Sequence, residues 1–181
     1  MHTLLIAFPP DAPAILVTQH MPAAFTAGFA SRLNERCAVT VTQAIDGERV
    51  LPGHVYVAPG GEHLELARSG ANYICRLNDG PPVSGHRPSV DVLFQSVARV
   101  AGANSVGIIL TGMGKDGASG LLEMRRAGAS TIGQDETTCV VYGMPKAAHD
   151  CGATEVELPI SKIWDHALNR CQATAVRGVR V

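Results

Sequence analysis

Two short motifs in the sequence contain the residue types that acid–base catalysis requires. The first, QHMP at residues 19–22, directly follows the apolar run AILVT, and the second is TGMGKDG at residues 111–117. A histidine held by an aspartate is the base half of a hydrolytic triad, because the carboxylate fixes the imidazole tautomer and stabilises the imidazolium. His20 and Asp116 are therefore the candidate catalytic pair.

Each of these two residues also has a structural explanation. His20 could simply bond one ring nitrogen to the backbone, and Asp116 could cap the helix that begins beside it. The glycines of the second motif allow the backbone to turn sharply and to expose its N–H groups near a helix start. Such groups suit an anion or a developing oxyanion. The residues alone leave the structural and the catalytic interpretations open.

The second motif also matches the dinucleotide-binding pattern G-x-G-x-x-G. Gly112, Gly114 and Gly117 stand between a predicted strand and a predicted helix, and Asp135 follows 18 residues after the last glycine. Asp116 would place a carboxylate at the turn meant for pyrophosphate, where like charges repel. The motif also comes late in the chain, with few residues left to build a second half of such a fold. A nucleotide-binding module is therefore the less favoured interpretation.

Neither motif contains a nucleophile. Ser84, Ser89 and Ser119 are the serines in loops or at helix starts, and none lies in a G-x-S-x-G elbow. Ser89 is better explained as the N-cap of a helix, and Ser119 lies within a helix start. No cysteine has a comparable setting. The residues thus indicate a base and its aspartate but no hydroxyl for the base to activate.

Strands and helices alternate along the chain and place both motifs at strand ends. The predicted strands span residues 14–18, 38–42, 54–58, 105–111, 130–133 and 154–158, and the predicted helices span 22–35, 89–101, 117–127, 144–150 and 161–173. This order predicts an α/β fold: a doubly wound, mostly parallel sheet with helices on both faces and an inserted β-hairpin at about 62–77. Because functional groups collect at the carboxyl ends of parallel strands, His20 and Asp116 are expected to meet.

Composition narrows the class of protein. The chain has 181 residues, of which 46% are apolar and 17% charged, so it fits one globular domain. A net charge of -1 and only 4% aromatic residues argue against a nucleic-acid or membrane-surface partner. The five cysteines show no disulfide or zinc spacing, and no stretch resembles a signal peptide or a membrane span. We expect a cytoplasmic protein without metal or cofactor.

At the residues of both motifs the chain resembles the catalytic domain of the chemotaxis protein-glutamate methylesterase family. The stretches that carry the resemblance are VTQHMPAAFTAGFASRLNE, DGERVLPGHVYVAPGGEHLEL, DGPPVSGHRPSVDVLFQSVA, GIILTGMGKDGASGLLEMRRAGA and VVYGMPKAA. Together they cover nearly the whole chain, from about residue 3 to residue 165.

The resemblance implies the same α/β fold and a Ser-His-Asp triad in which His20 and Asp116 are catalytic. It also implies that Met113 supplies a backbone N–H to the oxyanion hole. The implied reaction is hydrolysis of glutamate methyl esters on methyl-accepting chemotaxis receptors, which yields glutamate and methanol, and deamidation of certain receptor glutamines. Arg87 and Lys115 are expected near the mouth of the site, where they would dock an acidic helix; solvated surface charges are the alternative.

One part of the family pattern has no counterpart in these 181 residues. The family's serine lies in a Ser-Thr-Gly-Gly loop after the domain's first strand, and here HTLLIAF corresponds to the tail of the helix that follows that loop. We therefore expect a methylesterase-like domain over residues 1–181, truncated at its N-terminus and without a receiver domain, and impaired or inactive as written. A non-catalytic receptor-binding remnant is the alternative function.

Overall fold

The computed structural model describes residues 1–178 and places its strands and helices close to the predicted positions. The strands are β1 (Ile15–Val17), β2 (Thr40–Gln43), β3 (His54–Val57), β4 (His63–Ser69), β5 (Asn72–Asn78), β6 (Val106–Ile109), β7 (Ser130–Gln134) and β8 (Val156–Leu158). The helices are α1 (His2–Leu5), α2 (Ala23–Asn34), α3 (Val90–Val100), α4 (Ala118–Arg126), α5 (Met144–Asp150) and α6 (Ile160–Gly178). The last three residues of the expected domain, 179–181, lie outside the described residues.

The parallel strands form two sheets rather than the single sheet that we expected. One sheet has the order β1-β3-β2 and the other β6-β7-β8, and all pairs in both are parallel. Within residues 1–178 β1 pairs only with β3 and β6 pairs only with β7, so each keeps one unpaired edge. The predicted fold class, a mostly parallel α/β arrangement, is confirmed, but the parallel strands pair in two sheets instead of one.

Two hydrophobic clusters cover opposite faces of the parallel strands. Side chains alternate along a strand: Val55 and Val57 of β3 belong to one cluster, and Tyr56 between them belongs to the other. The first cluster includes residues of α1, α2 and α6, and the second includes residues of α3, α4 and α5. Each cluster also contains residues of both sheets. The prediction of helices on both faces is thus confirmed.

The predicted hairpin is also confirmed. Strands β4 and β5 pair antiparallel from His63 opposite Asn78 to Ser69 opposite Asn72. The hairpin is joined to α3 by the backbone N–H of Leu66, which donates to the hydroxyl of Ser96 at 2.9 Å. The first residue of the hairpin, His63, lies beside the start of α3, where its Nδ1 accepts the N–H of Ser89 at 3.1 Å.

Helices α3 and α4 approach each other closely at Gly120. A Cβ atom there would lie 2.7 Å from the Cβ of Phe94 and 2.8 Å from the carbonyl oxygen of Asp91. The N–H of Gly120 also donates to the Asp91 carboxylate at 2.8 Å. Because Asp116 immediately precedes α4, this close packing helps to set where its side chain lies relative to α3.

We predict that Gly120→Ala destabilises the protein. Alanine is the better helix former by about 1 kcal/mol. Overpacking against a backbone oxygen and a neighbouring Cβ costs about 1–3 kcal/mol, so a net loss of up to about 2 kcal/mol is expected in urea unfolding. The exposed neighbour Ser119→Ala is the control and should change the free energy of unfolding by less than about 0.5 kcal/mol. Equal stability of the two variants would contradict the close-packing argument.

No helix within residues 1–178 has the length and apolar character to cross a bilayer.

Candidate active site

His20 and Asp116 lie in direct contact although they are 96 positions apart in the chain. The Nε2–H of His20 donates to Oδ2 of Asp116 at 2.6 Å. The two residues follow β1 and β6, so the carboxyl ends of the two sheets meet at this hydrogen bond. The predicted pairing of the two side chains is confirmed.

The carboxylate of Asp116 is buried and accepts three further hydrogen bonds. Its side chain is 1% exposed. Oδ1 accepts from the Ser89 hydroxyl at 2.7 Å and from the N–H of Asp91 at 3.1 Å, and Oδ2 accepts from the N–H of Val90 at 2.7 Å. Every position around the carboxylate is therefore occupied by a donor.

Asp116 thus caps a helix as well as holding the histidine, but the helix is not the expected one. It bonds the first N–H groups of α3, whereas α4, which begins beside it, has Gly117 at its N-cap. Ser89 is the N-cap residue of α3 as predicted, but its hydroxyl makes no cap hydrogen bond and donates to Asp116 instead. Capping would need the hydroxyl oxygen as an acceptor, and the N–H of Asp91 at the second position of α3 already donates to Asp116.

The hydrogen bonds decide the ionisation of Asp116. Burial by itself would raise its pKa, but the bonds from His20, Ser89 and the two backbone N–H groups outweigh burial and lower the pKa to about 2. The side chain is therefore an anion at neutral pH, which is the form that orients an imidazole and stabilises an imidazolium.

The ring of His20 is held on one edge and one face. Asp116 occupies Nε2, and the ring of His86 stacks on His20 with centroids 3.8 Å apart and planes 10° from parallel. No hydrogen bond reaches Nδ1 of His20 from the side chains and backbone groups that the structure describes. Because Nε2 carries the proton, Nδ1 holds the lone pair and is the nitrogen that can act as a base.

A cavity of about 400 Å³ opens beside the His20 ring. Its lining includes Met21, Pro22, His86 and Arg87. It therefore lies between the loop that follows β1 and the Pro/Gly-rich loop that precedes α3. No cluster of metal-ligating side chains occurs in the part of the chain that the structure describes.

The loop after β6 exposes Met113, whose side chain is 82% accessible. The adjacent Gly112 is held by two backbone hydrogen bonds, one to Val141 at 3.1 Å and one from Met144 at 2.8 Å. Gly114 has a φ of +91°, which favours glycine. Among the described residues no acceptor receives the N–H of Met113 or of Gly114. The oxyanion role of Met113 stays a prediction, and these unpaired N–H groups agree with it.

Arg87 lines the cavity as expected, but its guanidinium is partly engaged. One of its nitrogens donates to the carbonyl oxygens of Asp79 at 2.7 Å and Gly80 at 3.0 Å, which closes the loop before α3. Lys115 is exposed beside Asp116. The role of the two residues in docking an acidic helix stays a prediction.

Sequence reasoning missed two histidines of this site. His86 stacks on His20, and the buried His63 accepts the backbone N–H of Ser89 at Nδ1. For His86 the signal was its place in a long Pro/Gly loop. For His63 the only signal was a polar residue at a core-facing position of a strand, which does not reveal its partner.

The dinucleotide interpretation finds no support in the surroundings of its acidic residue. The carboxylate of Asp135 accepts from the N–H of Thr138 at 3.0 Å and from the hydroxyl of Thr137 at 2.9 Å. It thereby caps the short 3-10 helix that follows β7. These bonds give Asp135 a capping role within this turn, so it offers no separate support for the G-x-G-x-x-G match.

We predict that Asp116→Asn lowers stability at neutral pH but much less in acid. The folded-state pKa of about 2 lies below the unfolded value of about 3.9. The carboxylate therefore contributes stability above about pH 4 and loses it as the pH falls towards 2. The difference between the two pKa values corresponds to about 2–3 kcal/mol of stability at pH 7. Urea unfolding of both proteins from pH 7 to pH 2 measures it.

The exposed Asp11→Asn serves as the control and should leave the free energy of unfolding within about 0.5 kcal/mol at every pH. A constant difference between the Asp116→Asn variant and the original protein from pH 7 to pH 2 would contradict the low pKa of Asp116.

Known proteins resemble the chain along nearly its whole length. A sequence profile described as "CheB methylesterase" matches residues 1–167. A Ralstonia nicotianae protein named "Protein-glutamate methylesterase/protein-glutamine glutaminase" is 59% identical over 169 residues, which are 93% of this chain and 44% of that protein. A Bordetella avium protein of the same name, numbered 2, is 60% identical over 98% of this chain and 50% of its own length. The chain spans about half the length of the curated relatives it matches.

A solved structure agrees in fold as well as in sequence. The crystal structure of the Thermotoga maritima CheB methylesterase catalytic domain matches with a TM-score of 0.90 and 37% identity, over 93% of this chain and 89% of that one. From this fold and from the match along residues 1–167, the chain belongs to the CheB methylesterase family.

Proposed function

We propose that residues 1–181 form the catalytic domain of a cytoplasmic protein-glutamate methylesterase and protein-glutamine glutaminase. Its substrates would be glutamate methyl esters and certain glutamines of methyl-accepting chemotaxis receptors. The observation that carries the proposal is the hydrogen bond from His20 to the buried, ionised Asp116. Two relatives that carry this double name share 59% and 60% identity with the chain, which supports the choice of substrate class.

In the proposed mechanism His20 acts as the general base through Nδ1. It removes the proton of a serine hydroxyl as that oxygen attacks the ester carbonyl, and Asp116 stabilises the imidazolium that forms. The imidazolium then returns the proton to the departing methoxide, which leaves as methanol. Water next attacks the acyl-enzyme with the same base, which releases glutamate and restores the serine. Deamidation follows the same steps with ammonia as the leaving group.

The loop after β6 would stabilise the oxyanion of each tetrahedral intermediate. The unpaired N–H groups of Met113 and Gly114 are the proposed donors, and the positive φ of Gly114 sets their direction. The exposed Met113 side chain takes no part in this role. Arg87 and Lys115 would lie at the edge of the docking surface for the receptor helix.

The nucleophile would come from a Ser-Thr-Gly-Gly loop of the family, which these 181 residues do not contain. None of the serines considered from the sequence can replace it. Ser89 is fully buried and donates its hydroxyl to Asp116, and Ser84 directs its hydroxyl to Asp91 at 3.4 Å. Ser119 is exposed on α4 and makes no hydrogen bond to His20.

We predict that the 181 residues alone release little or no methanol from methylated receptors. A version extended at the amino end by a family strand and its Ser-Thr-Gly-Gly loop should show turnover, because His20 then has a hydroxyl to activate. Changing the added serine to alanine should lower kcat to the residual level typical of triad knockouts, about 10³–10⁴-fold over water. Release of labelled methanol from receptor fragments measures this.

The same experiment separates the proposal from the second candidate, a non-catalytic receptor-binding domain. That candidate is favoured by the lack of any hydrogen bond to Nδ1 of His20 from residues 1–178. It requires that the 181 residues bind receptor fragments, and an extended version that binds them without turnover would favour it. Robust methanol release by the 181 residues alone would contradict the non-catalytic candidate and the assignment of the nucleophile to the Ser-Thr-Gly-Gly loop, and would mean that another group of the chain is the nucleophile.

We also predict that, in the extended version, Gly114→Val lowers kcat far more than Met113→Leu. A β-branched residue cannot adopt a φ of +91° without strain, so it would turn the proposed oxyanion donors away. Loss of one such donor costs on the order of 10²–10³-fold in kcat. Met113→Leu is the matched control, since it changes only an exposed side chain. Equal losses in the two variants would contradict the backbone role.

A further inference from the structure

We propose that Ser89, held by the buried His63, is a positioning residue that fixes the Asp116 carboxylate against the His20 ring. The importance of this role for catalysis rests on the proposed function. The hydrogen bonds that carry it, however, are complete within the described residues, so the test does not depend on turnover.

Ser89 supplies the only side-chain donor to Asp116 besides His20 within the described part of the chain. Its residue is fully buried, and its hydroxyl lies 2.7 Å from Oδ1 of Asp116. An ionised carboxylate only accepts hydrogen bonds, so the hydroxyl proton must point to Asp116. Without this bond Oδ1 would keep only the N–H of Asp91 at 3.1 Å. The Ser89 hydroxyl therefore fixes the rotation of the carboxylate that presents Oδ2 to His20.

His63 fixes Ser89 from the opposite side. Its side chain is 2% exposed, and Nδ1 lies 3.1 Å from the backbone N of Ser89, whereas Nε2 lies 3.1 Å from the carbonyl oxygen of Pro81. Because the N–H of Ser89 is a donor, Nδ1 must hold a lone pair, so Nε2 carries the proton that is donated to Pro81. The ring is thus a neutral bridge between strand β4, the loop before α3 and the helix start.

A continuous chain of hydrogen bonds results. It runs from Pro81 through His63 to the backbone of Ser89, and from the Ser89 hydroxyl through Asp116 to His20. Each link is at most 3.1 Å long. Removing His63 would leave the N–H of Ser89 buried without an acceptor and would free the hydroxyl to turn away from Asp116.

The experiment uses the 181-residue chain and NMR of its side chains. The carboxyl carbon of Asp116 reports its titration, and the imidazole nitrogens and the Nε2–H proton of His20 report the hydrogen bond between the two residues. In Ser89→Ala we expect the pKa of Asp116 to rise from about 2 by roughly one unit, because a donor to the charged form is lost. The Nε2–H resonance of His20 should shift as well.

Matched variants separate positioning from general damage. His63→Leu should shift the same signals in the same direction, whereas His63→Asn, whose amide oxygen can stand in for Nδ1, should restore them. Ser84→Ala removes an exposed hydroxyl that bonds Asp91 instead, and it should leave the Asp116 titration unchanged. If Ser89→Ala does not fold, Ser89→Cys conserves the side-chain volume with a much weaker donor and should give a smaller shift in the same direction.

Unchanged Asp116 and His20 signals in folded Ser89→Ala or Ser89→Cys would overturn the proposal, as would an equal shift in Ser84→Ala. In the extended version, Ser89→Ala should lower kcat roughly 10- to 100-fold with less than about a 2-fold change in KM.

The positioning role of Ser89 and the proposed methylesterase function can fail separately. An extended version without turnover whose NMR shifts follow the expected order removes the methylesterase function but leaves the positioning role. Normal turnover of the extended version together with unchanged NMR signals in Ser89→Ala would remove the positioning role but leave the methylesterase function.

Discussion

The arrangement of the site depends on keeping one carboxylate ionised inside the protein. A buried anion is strongly unfavourable unless hydrogen bonds replace its water, and Asp116 receives four such bonds. These donors come from the loop after β1 and from the residues at the start of α3, while Asp116 itself stands just before α4. Its solvation by protein groups thus joins three segments that are far apart in the sequence.

The same bonds couple helix capping to the orientation of the histidine. The first N–H groups of a helix form its positive end, and a carboxylate there is favourable. In this protein the carboxylate that satisfies α3 also holds Nε2 of His20, so a shift of the helix start moves the acceptor of the imidazole. Because the negative charge is shared among four donors, Asp116 stays ionised down to a pKa of about 2. The same set of hydrogen bonds therefore lets Asp116 both cap α3 and hold His20.

The sequence was most informative where local patterns determine the structure. Alternating elements, the hairpin and the place of QHMP and TGMGKDG at strand ends were sufficient to predict that His20 meets Asp116. Contacts between distant segments were not predictable. The direction of the Ser89 hydroxyl depends on a carboxylate 27 positions away, and the role of His63 depends on a backbone group 26 positions away. The division of the parallel strands into two sheets depends on pairing partners, which the apolar pattern of each strand does not specify.

The geometry of the pair also restricts how a nucleophile can reach the base. Asp116 occupies Nε2 of His20, and the ring of His86 covers one face, so a hydroxyl must approach in the ring plane from the Nδ1 side. That position lies at the carboxyl ends of β1 and β6, the two strands that meet at the pair and that each keep an unpaired edge within residues 1–178. A serine on a loop that follows a further parallel strand would approach Nδ1 from this side, and that strand would pair with the open edge of β1 or β6.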